Sequence, residues 1–350
     1  MNLSQKPPHQ TLPFTPSFLD RFMDFVQRFP IPYWLTYLIL FIVQCMILHV
    51  LAWMDGWVPA YTFEPILLLF PIWLWGPLAL MTYLDQVSLE ALSSFRPLLD
   101  VDEDRLKRMK YEFTNLPSRS VLLSAVFWII VYLILTYLTF DAFYVAYGLG
   151  TLFSVVIFVE GLISYSIGSA IYYHSFRQLK LVNLTVKMVK QFNLFRLDPI
   201  YAFSRVTSLI GVSWMIMLTV TLLTFPIQFA HGPVLGVLTL QVMLALAAFV
   251  LPLWFVHRRL VSEKLRLLAE IHRRVETTSD RLYLALDKNE MVEAVQFSNA
   301  LNGLNIERNV LLSLPTWPWR PGTLTGFLSA IIFPIILFII QYFIRNWLGG

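Results

Sequence analysis

A single cysteine in 350 residues, Cys45, excludes an intramolecular disulfide. Charge is scarce as well: Asp, Glu, Lys and Arg make up 14% of the chain against 57% apolar residues. A soluble globule of this length could not cover its surface with so few polar side chains. The short alternating segments of a transmembrane β-barrel are missing. So are H-E-x-x-H, the nucleophile elbow and the glycine loop that cradles phosphate. The six histidines show no metal-ligand spacing, so neither metal nor cofactor is expected. Ser169 follows Gly168 in an apolar stretch, but no paired histidine motif accompanies it, and an intramembrane enzyme ranks last among the readings. Met1 to Pro32 is proline-rich without an apolar core beside a cleavage site, so no cleaved signal peptide is expected.

What the chain does have is long apolar runs. They fall at Tyr33–Met54, Phe63–Asp85, Val121–Phe140, Val145–His174, Val206–Phe229, Val234–Val256 and Gly326–Trp347. Each reaches the ~20 residues that a helix needs to cross ~30 Å of hydrocarbon. Helices satisfy their own backbone groups, which lipid cannot do. Of the 26 Lys and Arg residues, all but Arg345 fall on one side of these runs. Positive charge is retained on the cytoplasmic side, so the N-terminus is expected inside and the C-terminus outside. The same sorting accounts for the net charge of +4 without nucleic acid. The expected fold is therefore all-α, a polytopic membrane protein with seven transmembrane helices and a cytoplasmic helical hairpin.

The expected organisation follows in four parts. Residues 1–32 form a cytoplasmic segment with an interfacial amphipathic helix, its Phe18, Leu19, Phe22, Phe25, Val26 and Phe29 recurring at helical steps. Residues 33–256 hold six spans and two cytoplasmic loops, 86–120 and 175–205. Residues 257–325 form the hairpin, with a turn at Asp287-Lys288-Asn289. Residues 326–350 form the last span and a short outer tail. In the first loop, Asp100, Asp102, Glu103 and Asp104 precede Arg105, Lys107, Arg108 and Lys110, which suits the dipole of one short helix. The second loop carries Arg177, Lys180, Lys187, Lys190, Arg196 and Arg205 against Asp198, so anionic lipid is its expected neighbour. The hairpin is small for an independent core and is expected to dock on the membrane domain, on a second copy or on a cytoplasmic partner.

The hairpin, then Pro315-Thr316-Trp317-Pro318-Trp319-Arg320-Pro321-Gly322-Thr323, then a final span containing proline, resembles an uncharacterised group of bacterial polytopic membrane proteins. The likeness covers about the last hundred residues and implies a prokaryotic plasma membrane. It carries no known activity and no functional residues.

Candidate chemistry lies at a few polar positions inside the runs. Glu160 sits mid-span, where an ionisable group is costly unless neutralised, paired or hydrated. Gly161, Ser164 and Gly168 continue a small, polar face beside it. One reading is a proton- or cation-handling site; the other is a carboxyl group hydrogen-bonded across a close helix contact. In the second run, Pro65, Pro71 and Pro77 suggest a broken helix, with Glu64 at its outer mouth. Asp55 and Glu64 form an acidic outer rim, for which Arg345 is the one available basic partner. These positions favour a membrane conduit, a channel or transporter for an ion or small solute. The alternative is a non-transporting scaffold or sensor whose hairpin binds a partner.

Overall fold

The computed structural model describes residues 13–138, 140–141, 152–189, 194, 198–224, 232–319 and 321–347. Its elements are α1 (Phe18–Gln27), α2 (Tyr33–Met54), α3 (Leu69–Phe95), α4 (Glu103–Thr114), α5 (Ser118–Leu138), α6 (Leu152–Gly168), α7 (Ala170–Met188), α8 (Asp198–Thr224), α9 (Gly232–Asp287), α10 (Met291–Ser313) and α11 (Pro321–Trp347). Among the described residues there is no strand, only an isolated bridge between Pro16 and Pro117. Six helical stretches are long and apolar enough to cross a membrane: Tyr33–Met54, Pro65–Leu98, Ser118–Leu138, Leu152–Met188, Asp198–Thr224 and Thr239–Asp287. The run expected to make a seventh crossing lies in α11, whose described apolar stretch is Leu324–Leu337.

Two helices outrun the boundaries that hydropathy suggests. α3 continues past Asp85 to Phe95, and the helix after Ser169 continues past His174 to Met188. The reason is packing. Val87, Ala91, Leu92 and Phe95 share one core with Leu179, Val182 and Val186, so apolar stripes persist beyond the lipid-length run. The loops expected at 86–120 and 175–205 are correspondingly shorter. The 86–120 loop also holds α4, capped at Asp102, whose side chain accepts from the Arg105 amide at 2.8 Å.

α3 and α8 pack against each other in the middle of the bundle, with α2 and α6 beside α3 and with α9 and α11 beside α8. α1 opens with a capping box: the Ser17 hydroxyl accepts from the Asp20 amide, and Asp20 returns a bond to the Ser17 amide. It buries Leu19, Met23 and Val26 against Leu78, Met81, Leu116 and Ile171 rather than lying free. α9 is 56 residues long, about 84 Å at 1.5 Å per residue. Its charged half turns at Lys288–Asn289, where Asn289 takes φ 57°, and α10 returns beside it. Lys264 holds the far end of α10 by donating to the Leu312 and Leu314 carbonyls, both at 2.8 Å. The turn into α11 is stacked onto α9: His257 on Trp317 at 4.0 Å, Trp317 on Trp319 at 4.4 Å, and Trp319 on Phe249 at 5.3 Å.

Candidate functional site

Glu160 is tied across helices. The Gln44 amide donates to it at 2.6 Å, and Trp75 Nε1 donates to the Gln44 oxygen at 2.5 Å. α2, α3 and α6 are thereby linked by one short polar chain. An amide oxygen in place of the carboxylate could accept the same bond. Glu160→Gln is therefore expected to change stability by less than ~0.5 kcal/mol, whereas Glu160→Leu strands the Gln44 amide and costs ~1–3 kcal/mol. Thermal unfolding in detergent checks both; equal losses would mean that the charge itself matters.

The small residues beside Glu160 serve close contact. A β-carbon at Gly161 would overlap the Tyr132 ring, and one at Gly168 would overlap the Trp73 carbonyl oxygen. Ser164 donates to the Phe70 carbonyl at 2.9 Å. The second run is not broken at Pro71 or Pro77: a 3-10 turn at Pro65–Leu68 leads into a continuous α3. Pro71 lies in the first turn of α3, where its missing N–H is not needed. Pro77 lies inside the helix and supplies no N–H to the Trp73 carbonyl four residues earlier. Gly168 packs on that freed carbonyl and against the Pro77 ring. The sequence singled out proline, glycine and serine here, and the structure joins them as a seam between α3 and α6.

The acidic rim is engaged in capping. Asp55 accepts from the Phe153 amide at 3.4 Å, in the first turn of α6. Glu64 contributes its backbone: its N–H donates to His49 Nε2 at 3.2 Å, while His49 Nδ1 meets the Cys45 carbonyl at 2.8 Å. These two contacts fix the orientation of the His49 ring, with Nε2 accepting from the Glu64 amide. The Arg345 side chain, expected to partner Asp55 or Glu64, lies outside the described residues.

Two features escape a reading of the sequence. The first is a buried cluster between α3 and α7. His174 Nε2 meets Asp85 Oδ1 at 2.7 Å, and the Gln178 amide donates to the same oxygen at 3.0 Å and to the Phe113 carbonyl at 3.3 Å. His174 and Gln178 are each 1% exposed and Asp85 8%. The available signal was that Asp85 and His174 each close an apolar run, with Gln178 one helical turn after His174. Nearby, Asp20 is 2% exposed and accepts from the Ser17 amide, the Ser17 hydroxyl and the Leu116 amide at 2.8–2.9 Å. Burial pushes its carboxyl above the usual carboxylate range, partly offset by those bonds.

The second feature is a groove of about 560 Å³ between α9 and α10. Arg273, Arg274 and Arg281 line it together with one carboxylate, Glu307, and Phe297, Ala300 and Leu304 form its apolar wall. Arg274 is bridged to Glu270 at 2.5 Å; Arg273 and Arg281 form no ion pair among the described residues. Only Ala294 and Leu311 of α10 are buried, and Met291, Val292, Val295 and Ile306 are exposed. From Ala294 to Ile306 the helix carries no charged residue at all.

Six helices of crossing length, with no strand among the described residues, have the make-up of a multi-pass membrane protein. No family profile, curated protein or solved structure matches this chain.

Proposed function

We propose that this is a membrane-anchored scaffold or sensor whose α9–α10 hairpin docks an acidic, amphipathic helical segment of a partner protein. The observation that carries the reading is the arginine-lined groove beside residues 294–306 of α10, an uncharged and largely exposed stretch. A surface helix normally covers its outer face with charge, and between Glu293 and Glu307 α10 instead offers apolar and amide side chains. A third helix laid between α9 and α10 would set carboxylates on Arg273 and Arg281 and apolar side chains on Phe297 and Leu304. Charge sorting along the chain supports a cytoplasmic hairpin, seven crossings and an outer C-terminus. The resemblance of the C-terminal portion supports a prokaryotic plasma membrane, and the basic face of α7 suits anionic lipid.

The test uses full-length protein in nanodiscs and labelled amphipathic peptides of identical apolar pattern, acidic or basic. Acidic peptide is expected to bind, and Arg273→Glu with Arg281→Glu to weaken it by ten-fold or more, about 1.4 kcal/mol. Equal binding of both peptides, indifference to the double change, or a dimer that buries the groove would overturn the reading.

A second reading, a conduit, is favoured by the ionisable Asp85–His174 pair within the bundle. Ion or proton flux in liposomes that falls in Asp85→Asn would favour it over the scaffold.

A further inference from the structure

The Asp85 cluster is built with spare capacity. Gln178 has a fixed orientation: turning its amide over would set its oxygen against both Asp85 Oδ1 and the Phe113 carbonyl. Among the described residues its Oε1 is then buried without a partner, and so are His174 Nδ1, Ser88 Oγ and Asp20 Oδ1. Buried polar atoms are seldom left this way, and two of these belong to the one hydrogen-bonded cluster around Asp85. With Nε2 committed to Asp85, a neutral His174 presents Nδ1 as a bare acceptor. That nitrogen can take a proton without breaking any bond in the cluster.

The surrounding charge favours the uptake. Asp20 of α1, 2% exposed, acts on both Asp85 and His174, while Asp24 and Arg21 of the same helix are exposed. α2 and α4 bring the phenols of Tyr37 and Tyr111. On α7 the Arg177 guanidinium lies over the Phe14 ring at 4.8 Å. Asp20 and Asp85 thus set two carboxylates on the imidazole from two elements, and a proton there reduces the repulsion between them.

We infer that Asp85 and His174 form a proton-binding site beneath α1, and that proton uptake there tightens the seating of α1. α1 carries Asp20, so neutralising the charge beneath it lowers the repulsion between Asp20 and Asp85. Proton binding at this site does not depend on what the hairpin docks.

The experiment is histidine-selective ¹⁵N NMR of the full-length protein in nanodiscs between about pH 5 and about pH 8. His174→Gln assigns the signal. The Nδ1 resonance is expected to move from bare acceptor to protonated nitrogen as pH falls, and the titration to be altered in Asp85→Asn. Hydrogen exchange of Phe18–Gln27, corrected for intrinsic rate, is then followed in the wild-type chain and in His174→Gln. Exchange should slow at least three-fold toward low pH in the wild type and lose most of that dependence in His174→Gln. A His174 resonance that never moves, a titration identical in Asp85→Asn, or α1 exchange that ignores His174 would overturn the inference.

Discussion

Gly168→Ala is expected to destabilise the bundle by ~3 kcal/mol or more, the upper part of the range for inserting volume into a packed interior. The added methyl group would meet the Trp73 carbonyl, which is helix backbone, and the Pro77 ring behind it. Neither can rotate away, so α6 must separate from α3. Gly161→Ala is the control. Its obstacle is the Tyr132 ring, a side chain on α5 that can swing at the cost of its 3.3 Å bond to the Phe158 carbonyl. It should lose less than Gly168→Ala. Reversible unfolding in mixed detergent gives both values, and a mild Gly168→Ala would contradict the backbone contact.

The second large effect is expected from Asp85→Ala. Its carboxylate accepts from both His174 and Gln178, each almost wholly buried. Removing it strands two donors and leaves a small cavity, for an expected loss of ~3–5 kcal/mol, as when one partner of a buried pair is deleted. Asp85→Asn keeps one acceptor oxygen and should lose less than half as much. The same unfolding assay reads the comparison. If alanine and asparagine are equally mild, the cluster contributes little to the fold.

The pattern of these costs shows what the residue string reveals in a membrane protein. Apolar runs and proline turns place the helices, because lipid demands long self-satisfied segments. The turn at Lys288–Asn289 was visible as a short polar break, and the helix after Asp102 as acid preceding base. Helix ends at Phe95 and Met188 were not visible, because hydropathy reports lipid contact while Leu179, Val182 and Val186 report contact with other helices. Polar residues inside runs drew attention singly. Glu160, Ser164 and Gly168 stood out by depth, yet each is satisfied by a partner on a different helix, which spacing cannot disclose. Asp85 and His174 are 89 positions apart and lie at the ends of their runs, where polar residues are unremarked. The groove depends on how α9 and α10 face each other. Each sequence alone shows only arginines on one helix and an uncharged stretch on the other.

The hairpin as a docking platform is tested most directly by a hydrogen-exchange footprint of the full-length protein in nanodiscs, with and without an acidic amphipathic peptide. Protection is expected to be confined to Arg273–Arg281 and Phe297–Glu307 and to be lost when Arg273 and Arg281 are both changed to glutamate. Protection elsewhere, or none at a peptide concentration that saturates binding, would contradict it.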